Sequence, residues 1–242
     1  MAKQRLMIPM IVVLCGVMLF PAVKRDNKVF PVNADGSMVL KNVNGSIALS
    51  THDRAEIRVE MEKIAKTAAE LDEVKVRVNL EGNRLEVDVK RMRRNTRTRV
   101  NFKVVVPKGL AEVELKSVNG SVKSRGDLGS LTLESVNGSV SQRGLITDGN
   151  FRTVNGGIEL VHAGALSGDL AARSVNGAIQ LEIDRASEFS ADGSTLNGSV
   201  KTDFDLDVEK HLVGRSLSGR VGSAKYSLRV KTVNGGIKIL AI

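Results

Sequence analysis

A five-residue phrase of the form Val-Asn-Gly-Ser-Ile recurs eight times, and it constrains the fold more than any other feature of the sequence. The copies begin at residues 43, 118, 136, 154, 175, 196, 217 and 233. After one long gap between the first two copies, their glycines follow one another at a period of about 16–21 residues. Such self-similarity is typical of solenoids and other repeat architectures, in which each repeat packs on its neighbours.

The positions within the phrase predict a strand, a corner and a second strand. An aliphatic residue precedes the asparagine and a β-branched residue follows three places after it, so both are predicted to be buried. Asn-Gly between them suits a bend that needs a positive φ. If the corners stack in register, the asparagine amides form a ladder between neighbouring coils, made of Asn44, Asn119, Asn137, Asn155, Asn176, Asn197 and Asn234.

A second fold is compatible with the same phrase. Asn-Gly is also the strongest short-range signal for a β-hairpin, so a meander or sandwich competes with the solenoid. Glycine- and aspartate-rich stretches between the copies, such as residues 126–129, could form corners in either fold. The regular period favours an all-β solenoid with coils of about 18–21 residues.

Composition limits the core and the chemistry. Aromatic residues make up 3% of the chain and there is no Trp, so the core must be built from Val, Ile and Leu. The single cysteine, Cys15, excludes an intramolecular disulfide. His52, His162 and His211 do not have the spacing of metal ligands. We therefore expect neither a metal nor a cofactor.

Residues 1–23 are predicted to be an export signal or a membrane anchor, and residues 24–242 to be the β-solenoid domain. Lys3 and Arg5 precede an uncharged run from Leu6 to Val23, whose length lies between that of a signal peptide and that of a spanning helix. Because no convincing cleavage site follows, an uncleaved anchor is favoured over a cleaved signal, with lipidation of Cys15 as a third alternative. The domain is then expected in the cell envelope, on the periplasmic or extracellular side.

The gap between the first two copies is the least regular part of the domain. Residues 64–73 carry Ala and Leu at helical spacing, which predicts one short helix. Alternating strands are predicted on both sides of Gly82, which lies near the middle between Gly45 and Gly120. The gap is therefore expected to hold about four degenerate coils.

A basic segment between residues 89 and 111 accounts for the whole positive excess of the domain. It contains eight basic side chains and no acidic one. Arginine binds phosphate and carboxylate groups bidentately, so the candidate anion-contacting residues are Lys90, Arg91, Arg93, Arg94, Arg97 and Arg99. The alternative is a solvated hairpin tip. Nucleic acid is not expected as a partner, because no aromatic residues are interleaved with these cations.

Basic residues also recur beside the repeat. Three residues before the asparagine position, six of the eight copies carry Lys or Arg. In stacked coils these residues would lie about 4.8 Å apart, closer than the screening length of about 8 Å at physiological salt. Either acidic residues from adjacent columns or an anionic partner must offset their repulsion, unless the long side chains fan out into solvent.

The order of these features resembles a known family. An apolar N-terminus and VNGSI precede a short helix, VKVRVNLEGNRLEVDV, a strand ending in VVVPKG, and tandem VNGSV coils. Over about residues 30–242 the chain resembles the bacterial putative-adhesin domain family of unknown function, whose domains are β-solenoids of the toast-rack kind. The resemblance implies a right-handed parallel β-helix in the cell envelope, and it transfers no catalytic residue.

The residues favour binding over catalysis. Sugar-cleaving β-helices need paired carboxylates and usually aromatic platforms. Asp203, Asp205 and Asp207 are the one candidate set, for calcium or catalysis, and alternation on an exposed strand face explains them more simply. We predict a non-enzymatic adhesion, binding or scaffolding domain of the envelope. The alternatives are an envelope-stress or regulatory protein-interaction module and a carbohydrate-active β-helix enzyme.

Three kinds of partner remain open at this point. An anionic membrane surface or an anionic glycan would suit the basic segment, and a protein partner would suit an interaction module. The last repeat ends at Ile242 without a polar cap after it. Pairing of terminal coils between molecules is therefore a further expectation.

Overall fold

The computed structural model describes residues 21–92 and 97–242, so residues 1–20 of the predicted leader lie outside the described part. This part forms twenty-one strands and one short helix. In chain order they are β1 (Ala22–Pro31), β2 (Ser37–Asn44), β3 (Ile47–His52), β4 (Glu56–Ala65), α1 (Ala68–Asp72), β5 (Val74–Glu81), β6 (Arg84–Arg91), β7 (Arg99–Pro107), β8 (Glu112–Asn119), β9 (Val122–Arg125), β10 (Leu128–Asn137), β11 (Val140–Arg143), β12 (Ile146–Asn155), β13 (Ile158–His162), β14 (Leu170–Asn176), β15 (Ile179–Ile183), β16 (Phe189–Asn197), β17 (Val200–Thr202), β18 (Asp207–Lys210), β19 (Arg215–Val221), β20 (Tyr226–Asn234) and β21 (Ile237–Ala241).

The strands form two long, mostly parallel sheets. The ten-stranded sheet has the order β1-β4-β7-β3-β9-β11-β13-β15-β21-β17, and the eleven-stranded sheet the order β18-β19-β16-β20-β14-β12-β10-β8-β2-β6-β5. From β8 to β17 successive strands alternate between the sheets, and from β8 to β15 each strand pair forms one coil bonded in parallel to the next. The all-β prediction is confirmed, whereas the right-handed sense and the coil length of about 18–21 residues stay predictions.

Strand alternation builds one aliphatic core along the stack. In β10, Leu131 and Leu133 are fully buried, while Thr132 and Glu134 between and after them point outward. The equivalent inward residues in the neighbouring coils are Val113 and Leu115 in β8 and Gly149 and Phe151 in β12. Burying a side chain such as leucine contributes roughly 1.5–3 kcal/mol, so this continuous core is the main source of stability.

Antiparallel strands close the stack. β4 and β1 continue the ten-stranded sheet beyond β7, and β5 continues the other sheet beyond β6. At the opposite end β19 pairs antiparallel with β16, and β18 pairs with β19. Within the long gap, only β6 and β7 form a coil in parallel register with β2 and β3. The expectation of four degenerate coils is therefore wrong, because the remaining strands fold back as edge hairpins.

The coil that comes last in the sequence is not last in the stack. β20 lies between β14 and β16, and β21 lies between β15 and β17, in parallel register on both sides. The expectation of an uncapped terminal coil at Ile242 is thus wrong, since both edges of β21 are paired. The repeat copy at residues 217–221 also forms no corner, because it lies within the antiparallel strand β19.

The one predicted helix is present but short. β4 continues to Ala65, so α1 starts only at Ala68, where the Thr67 side chain caps it by accepting a hydrogen bond from the Glu70 backbone N–H at 3.3 Å. In residues 21–92 and 97–242, no helix combines the length and the apolar character that a membrane span requires.

Candidate functional site

The asparagines of the repeat form one hydrogen-bonded row along one edge of the stack, which we call the asparagine edge. Asn44 only accepts, and in each of the other six the Nδ2 donates to the side-chain oxygen of its neighbour at 2.7–2.9 Å. The structure brings all seven predicted ladder residues together. Their order along the edge is Asn44, Asn119, Asn137, Asn155, Asn176, Asn234 and Asn197.

The glycine after each asparagine is required by the close approach of neighbouring coils. Among the ladder glycines only Gly45 has a positive φ, of 116°. A Cβ atom on Gly138 would collide with the carbonyl oxygen of Gly120, and the same clash repeats at Gly156, Gly177, Gly235 and Gly198. Positive φ was therefore the wrong reason for Asn-Gly at these corners, where the backbones lie too close together for a side chain.

A buried hydroxyl column supports the same carbonyl groups. Ser135 Oγ donates to the Gly120 carbonyl oxygen at 2.9 Å, and Thr153 Oγ1 donates to that of Gly138 at 2.8 Å. Equivalent bonds are made by Ser117, Ser174, Thr195, Thr232 and, in the first coil, Asn42. Sequence reasoning missed this role, although Ser, Thr or Asn stands two places before every ladder asparagine.

The aliphatic residue before the asparagine is exposed in six of the seven ladder copies and half-buried at Val43, which contradicts the prediction that it is buried. Val118, Val136, Val154 and Val175 are 39–41% exposed, and Leu196 is 51% exposed. Alternation explains this, because the hydroxyl column one residue earlier occupies the inward position. We call the resulting stripe the valine row, which consists of Val43, Val118, Val136, Val154, Val175, Val233 and Leu196. Its members Val43, Val118, Val136, Val154 and Val175 line a groove of about 620 Å³ on the outer face.

The basic column beside the valine row is partly neutralised. Lys116 Nζ lies 2.9 Å from Glu114 and 3.3 Å from Glu134, and the hydrogen bond with Glu114 is the main reason why the pKa of Lys116 is raised. Lys231 pairs with Asp192 at 3.0 Å. Arg152 and Arg173 lie side by side in parallel register, and neither has an ion pair within the described part of the chain.

The described ends of the predicted anion-contacting segment lie beside one end of the asparagine edge. Because β6 is parallel to β2 and β7 to β3, the end of β6 at Arg91 and the start of β7 at Arg99 lie beside the Asn44 corner. Side-chain hydrogen bonds also join these coils at the corner: Asn42 Nδ2 donates to the Val100 carbonyl oxygen at 2.8 Å, and the Ser46 N–H donates to Asn101 Oδ1 at 3.1 Å.

The members of this segment differ in exposure. Lys90, Arg97 and Arg99 are exposed, whereas Arg91 is half-buried. Lys90 lies 3.9 Å from Asp88, a weak contact, and stands opposite the exposed Lys75 of β5. Arg93 and Arg94 lie outside the described residues. We call Lys75, Lys90, Arg97 and Arg99 the basic corner.

The described chain begins at this same corner. Val23 of β1 is opposite Ile64 of β4, which is in turn opposite Arg99 of β7. Neighbouring strands are about 4.8 Å apart, so the backbones of Val23 and Arg99 are separated by about 10 Å. The predicted leader therefore joins the fold beside the basic corner.

The other end of the asparagine edge carries an apolar hairpin tip between β18 and β19. The His211 N–H donates to the Gly214 carbonyl oxygen at 3.1 Å and closes the turn. At its top, Leu212 is 104% exposed and Val213 is 68% exposed. Arg215 donates to the Gly198 carbonyl oxygen at 2.8 Å, which holds the hairpin beside the last ladder corner.

The predicted acidic set does not form a site. Residues 203–205 form a bend between β17 and β18, and Asp207 starts β18, so the three carboxylates do not share one strand face. Asp203 instead accepts a hydrogen bond from the Ala241 N–H at 3.2 Å. Among the residues that the structure describes, no cluster of His, Cys, Asp and Glu is suited to hold a metal ion.

Aspartates join neighbouring coils at the opposite edge. Asp127 accepts a hydrogen bond from the Leu145 N–H at 2.9 Å and lies 3.2 Å from Lys108 Nζ. The bond from Leu145 is the main reason why the pKa of Asp127 is lowered. Asp148 and Asp169 accept similar backbone bonds from the coils stacked beside them. These aspartates therefore act as coil-to-coil acceptors, and Asp127 and Asp169 are also paired with the cations Lys108 and Arg229.

The stacked parallel coils and the glycine-spaced ladder define a β-solenoid-like domain of the toastrack class. The sequence model of the Toastrack DUF4097 family matches residues 95–240, more than half of the chain. The chain therefore belongs to the Toastrack DUF4097 family, which confirms the resemblance seen in the sequence.

Two solved structures resemble this chain at low sequence identity. A putative cell adhesion protein from Clostridium sporogenes is 11% identical, with 90% of this chain and 100% of that chain covered and a TM-score of 0.52. A putative adhesin from Bacteroides fragilis is 14% identical, with 89% and 97% covered and a TM-score of 0.44. The likeness to the Clostridium sporogenes protein shows a common fold and nothing more. A comparison with curated proteins gives no significant match.

Proposed function

We propose that the chain is a non-enzymatic binding domain of the cell envelope, and that its basic corner contacts an anionic membrane surface. The observation that carries this proposal is the register Val23–Ile64–Arg99, which puts the start of the described fold and the basic segment on three adjacent strands. The adhesion role in the name of the Clostridium sporogenes protein agrees with a binding function.

The charges of the basic corner suit a lipid headgroup. Lys75 and Lys90 stand opposite each other on β5 and β6, and like charges so placed repel. A phosphate between them would remove this repulsion, and each cation near an anionic leaflet contributes about 1 kcal/mol. If residues 1–23 hold the chain in a membrane, the corner lies close enough to the surface to interact despite screening over about 8 Å.

Co-sedimentation with vesicles tests the proposal. Residues 21–242 contain every described strand and the whole core, so this part is mixed with phosphatidylglycerol-containing vesicles or with pure phosphatidylcholine vesicles across a salt series. We expect binding to the anionic vesicles only, with affinity falling as salt rises. The triple variant Lys90→Gln, Arg97→Gln and Arg99→Gln should bind roughly 100-fold more weakly, at about 1 kcal/mol per cation.

A matched variant separates position from net charge. Lys123, Arg125 and Lys238 are exposed on β9 and β21 of the ten-stranded sheet, away from the basic corner. Changing these three residues to Gln removes the same charge and should leave most of the binding intact. Equal losses in the two triple variants, or no binding to anionic vesicles, would overturn the assignment of the basic corner.

The valine row favours a protein-interaction module as the second candidate. Its exposed aliphatic side chains lie beside Arg152 and Arg173, which have no ion pair among the described residues. Exposed apolar stripes with a charged border are typical of protein-binding surfaces. Failure of the vesicle experiment would direct the search for a partner to this groove.

A further inference from the structure

We infer that the hairpin tip formed by Leu212 and Val213 is a second membrane contact, which enters the interface of an anionic bilayer while the asparagine edge lies along the surface. This inference rests on the proposed function, because it takes the partner of the basic corner to be a membrane. It adds a separate site at the far end of the domain, with apolar rather than electrostatic chemistry.

The exposure of the tip is the first observation. Leu212 is fully exposed, at 104%, and the neighbouring Val213 is 68% exposed. Both stand at the top of a two-stranded hairpin whose turn is closed by the bond between His211 and Gly214. A hairpin that presents two adjacent aliphatic side chains to water has no folding benefit from them, whereas the interface of a bilayer would cover them.

The charged residues around the tip favour an anionic membrane surface over a neutral one. Lys210 and Arg215 stand opposite each other at the base of the turn, as the last and first residues of β18 and β19. Cations that border an apolar tip lie at headgroup level when the tip is inserted. The nearest acid, Glu209, is 3.9 Å from His211, and the other acids of this hairpin lie further from the turn.

The length of the asparagine edge favours a membrane over a small binding partner. Eight strand-to-strand steps join β6, at the basic corner, to β19, at the tip, which is about 38 Å at about 4.8 Å per step. An average helix of about 11 residues is only about 17 Å long and could not reach both ends. A flat bilayer can contact both ends and the valine row between them at once.

A second copy of the chain fits this edge less well. Face-to-face pairing would bring the basic column of one molecule against that of another, including Arg152 and Arg173. Asp127, Asp148 and Asp169 accept backbone hydrogen bonds at the other edge of the stack. Arg152 and Arg173, which have no ion pair among the described residues, therefore favour an anionic membrane over a second copy at the asparagine edge.

Site-directed fluorescence in the full chain tests the inference. In a Cys15→Ser background, Leu212→Cys is labelled with the polarity-sensitive dye NBD, and the protein is reconstituted into phosphatidylglycerol-containing vesicles with and without doxyl-labelled lipid. Leu145→Cys is the matched control, because Leu145 is also an exposed leucine, at 43%, and lies at a corner of the opposite edge. We expect a blue shift and at least twofold quenching at position 212, and neither at position 145.

A second measurement isolates the tip from the basic corner. In the vesicle assay with residues 21–242, the double variant Leu212→Ser and Val213→Ser should bind at least tenfold more weakly than the wild type. If position 212 is not quenched and this variant binds normally, the inference is overturned even where the basic-corner variant loses binding. If position 212 is quenched but the basic-corner variant binds normally, the tip is a membrane contact and the proposed role of the corner fails.

Discussion

The carbonyl oxygen of Gly156 occupies the space that a Cβ atom on Gly177 would need. The same close approach is found between every pair of neighbouring ladder glycines. Because glycine has no side chain, the coils can come this close at the asparagine edge. The Asn amides and the Ser or Thr hydroxyls can reach their partners only because the backbones come this close. Glycine, hydroxyl and amide therefore act as one unit in each corner.

Replacing Gly177 with alanine should destabilise the stack. The added methyl group must displace the Gly156 carbonyl, and overpacking of this kind costs about 1–3 kcal/mol. Urea-induced unfolding followed by circular dichroism measures the change. Gly236→Ala is the control, because its Cβ would lie 3.3 Å or more from its nearest neighbours and Ala178 already fills the equivalent position. Equal losses in the two variants would mean that the close approach does not set the coil spacing.

Within one corner, the buried hydroxyl should matter more than the exposed amide. Thr153→Val leaves the half-buried Gly138 carbonyl without its side-chain donor and should cost about 1–3 kcal/mol. Asn155→Ala removes two ladder bonds, but the exposed amides of its neighbours can bond water instead, so about 1 kcal/mol is expected. Thermal unfolding of the two variants shows which substitution lowers the stability more. A larger loss for Asn155→Ala would show that the ladder stabilises the corner more than the hydroxyl does.

Asp127 should stabilise the fold at neutral pH and not in acid. The Leu145 N–H, and then Lys108, lower the pKa of Asp127 below its ordinary value of 3.8. Its contribution is therefore present above the unfolded-state pKa and is lost as pH falls through the folded-state pKa. Asp127→Ala should cost about 1 kcal/mol at pH 7, and the difference from wild type should shrink below about pH 4.

Denaturant unfolding at several pH values measures this difference for Asp127. Asp205→Ala is the control, because Asp205 is exposed and has no hydrogen bond or ion pair among the described residues. It should change the stability little at any pH. A pH-independent loss in Asp127→Ala would contradict an electrostatic origin and point to packing at that corner.

Removing residues 226–242 should disrupt more than the coil that is deleted. β20 and β21 pair with strands on both sides, so β16 and β17 would lose their parallel partners. Hydrogen exchange in residues 189–202 of a chain ending at Lys225 should approach that of an unfolded segment. Protection that persists there would instead mean that β16 can stack directly on β14, in the order of the sequence.

The repeat predicted the all-β stack, the asparagine ladder and the position of the corners, because a period recorded in seven copies reflects one local geometry. It did not predict which side of each strand faces the core. Val118 and Val122 are equally aliphatic, yet only Val122 is buried, since Ser117 takes the inward position before the corner. Hydrophobic residues are usually the buried ones, but at this corner the hydroxyl is buried and the valine is exposed. The reason is the hydrogen bond from the hydroxyl to a carbonyl group of the adjacent coil, which the sequence alone does not show.

The order of the coils and the positions of the surface features could not be predicted from the sequence and are known only from the structure. Asn197 and Asn234 stand in nearly identical phrases, so nothing local reveals that Asn234 is the one that contacts Asn176. The hairpin tip was hidden because Leu212 and Val213 are ordinary aliphatic residues until their exposure is known. The proximity of the predicted leader to the basic segment follows from antiparallel register across three strands, which is a long-range property.

The position of β20 and β21 inside the stack sets the order in which the coils can assemble. The coils up to β15 can add one by one, because each finds its neighbour already in place. β16 and β17 come next in the chain, but they have no parallel partner until β20 and β21 dock against β14 and β15. Until then β14 and β15 present open strand edges, at which the strands of another chain could pair. A folding intermediate in which residues 226–242 have not yet docked is therefore the state most prone to aggregation.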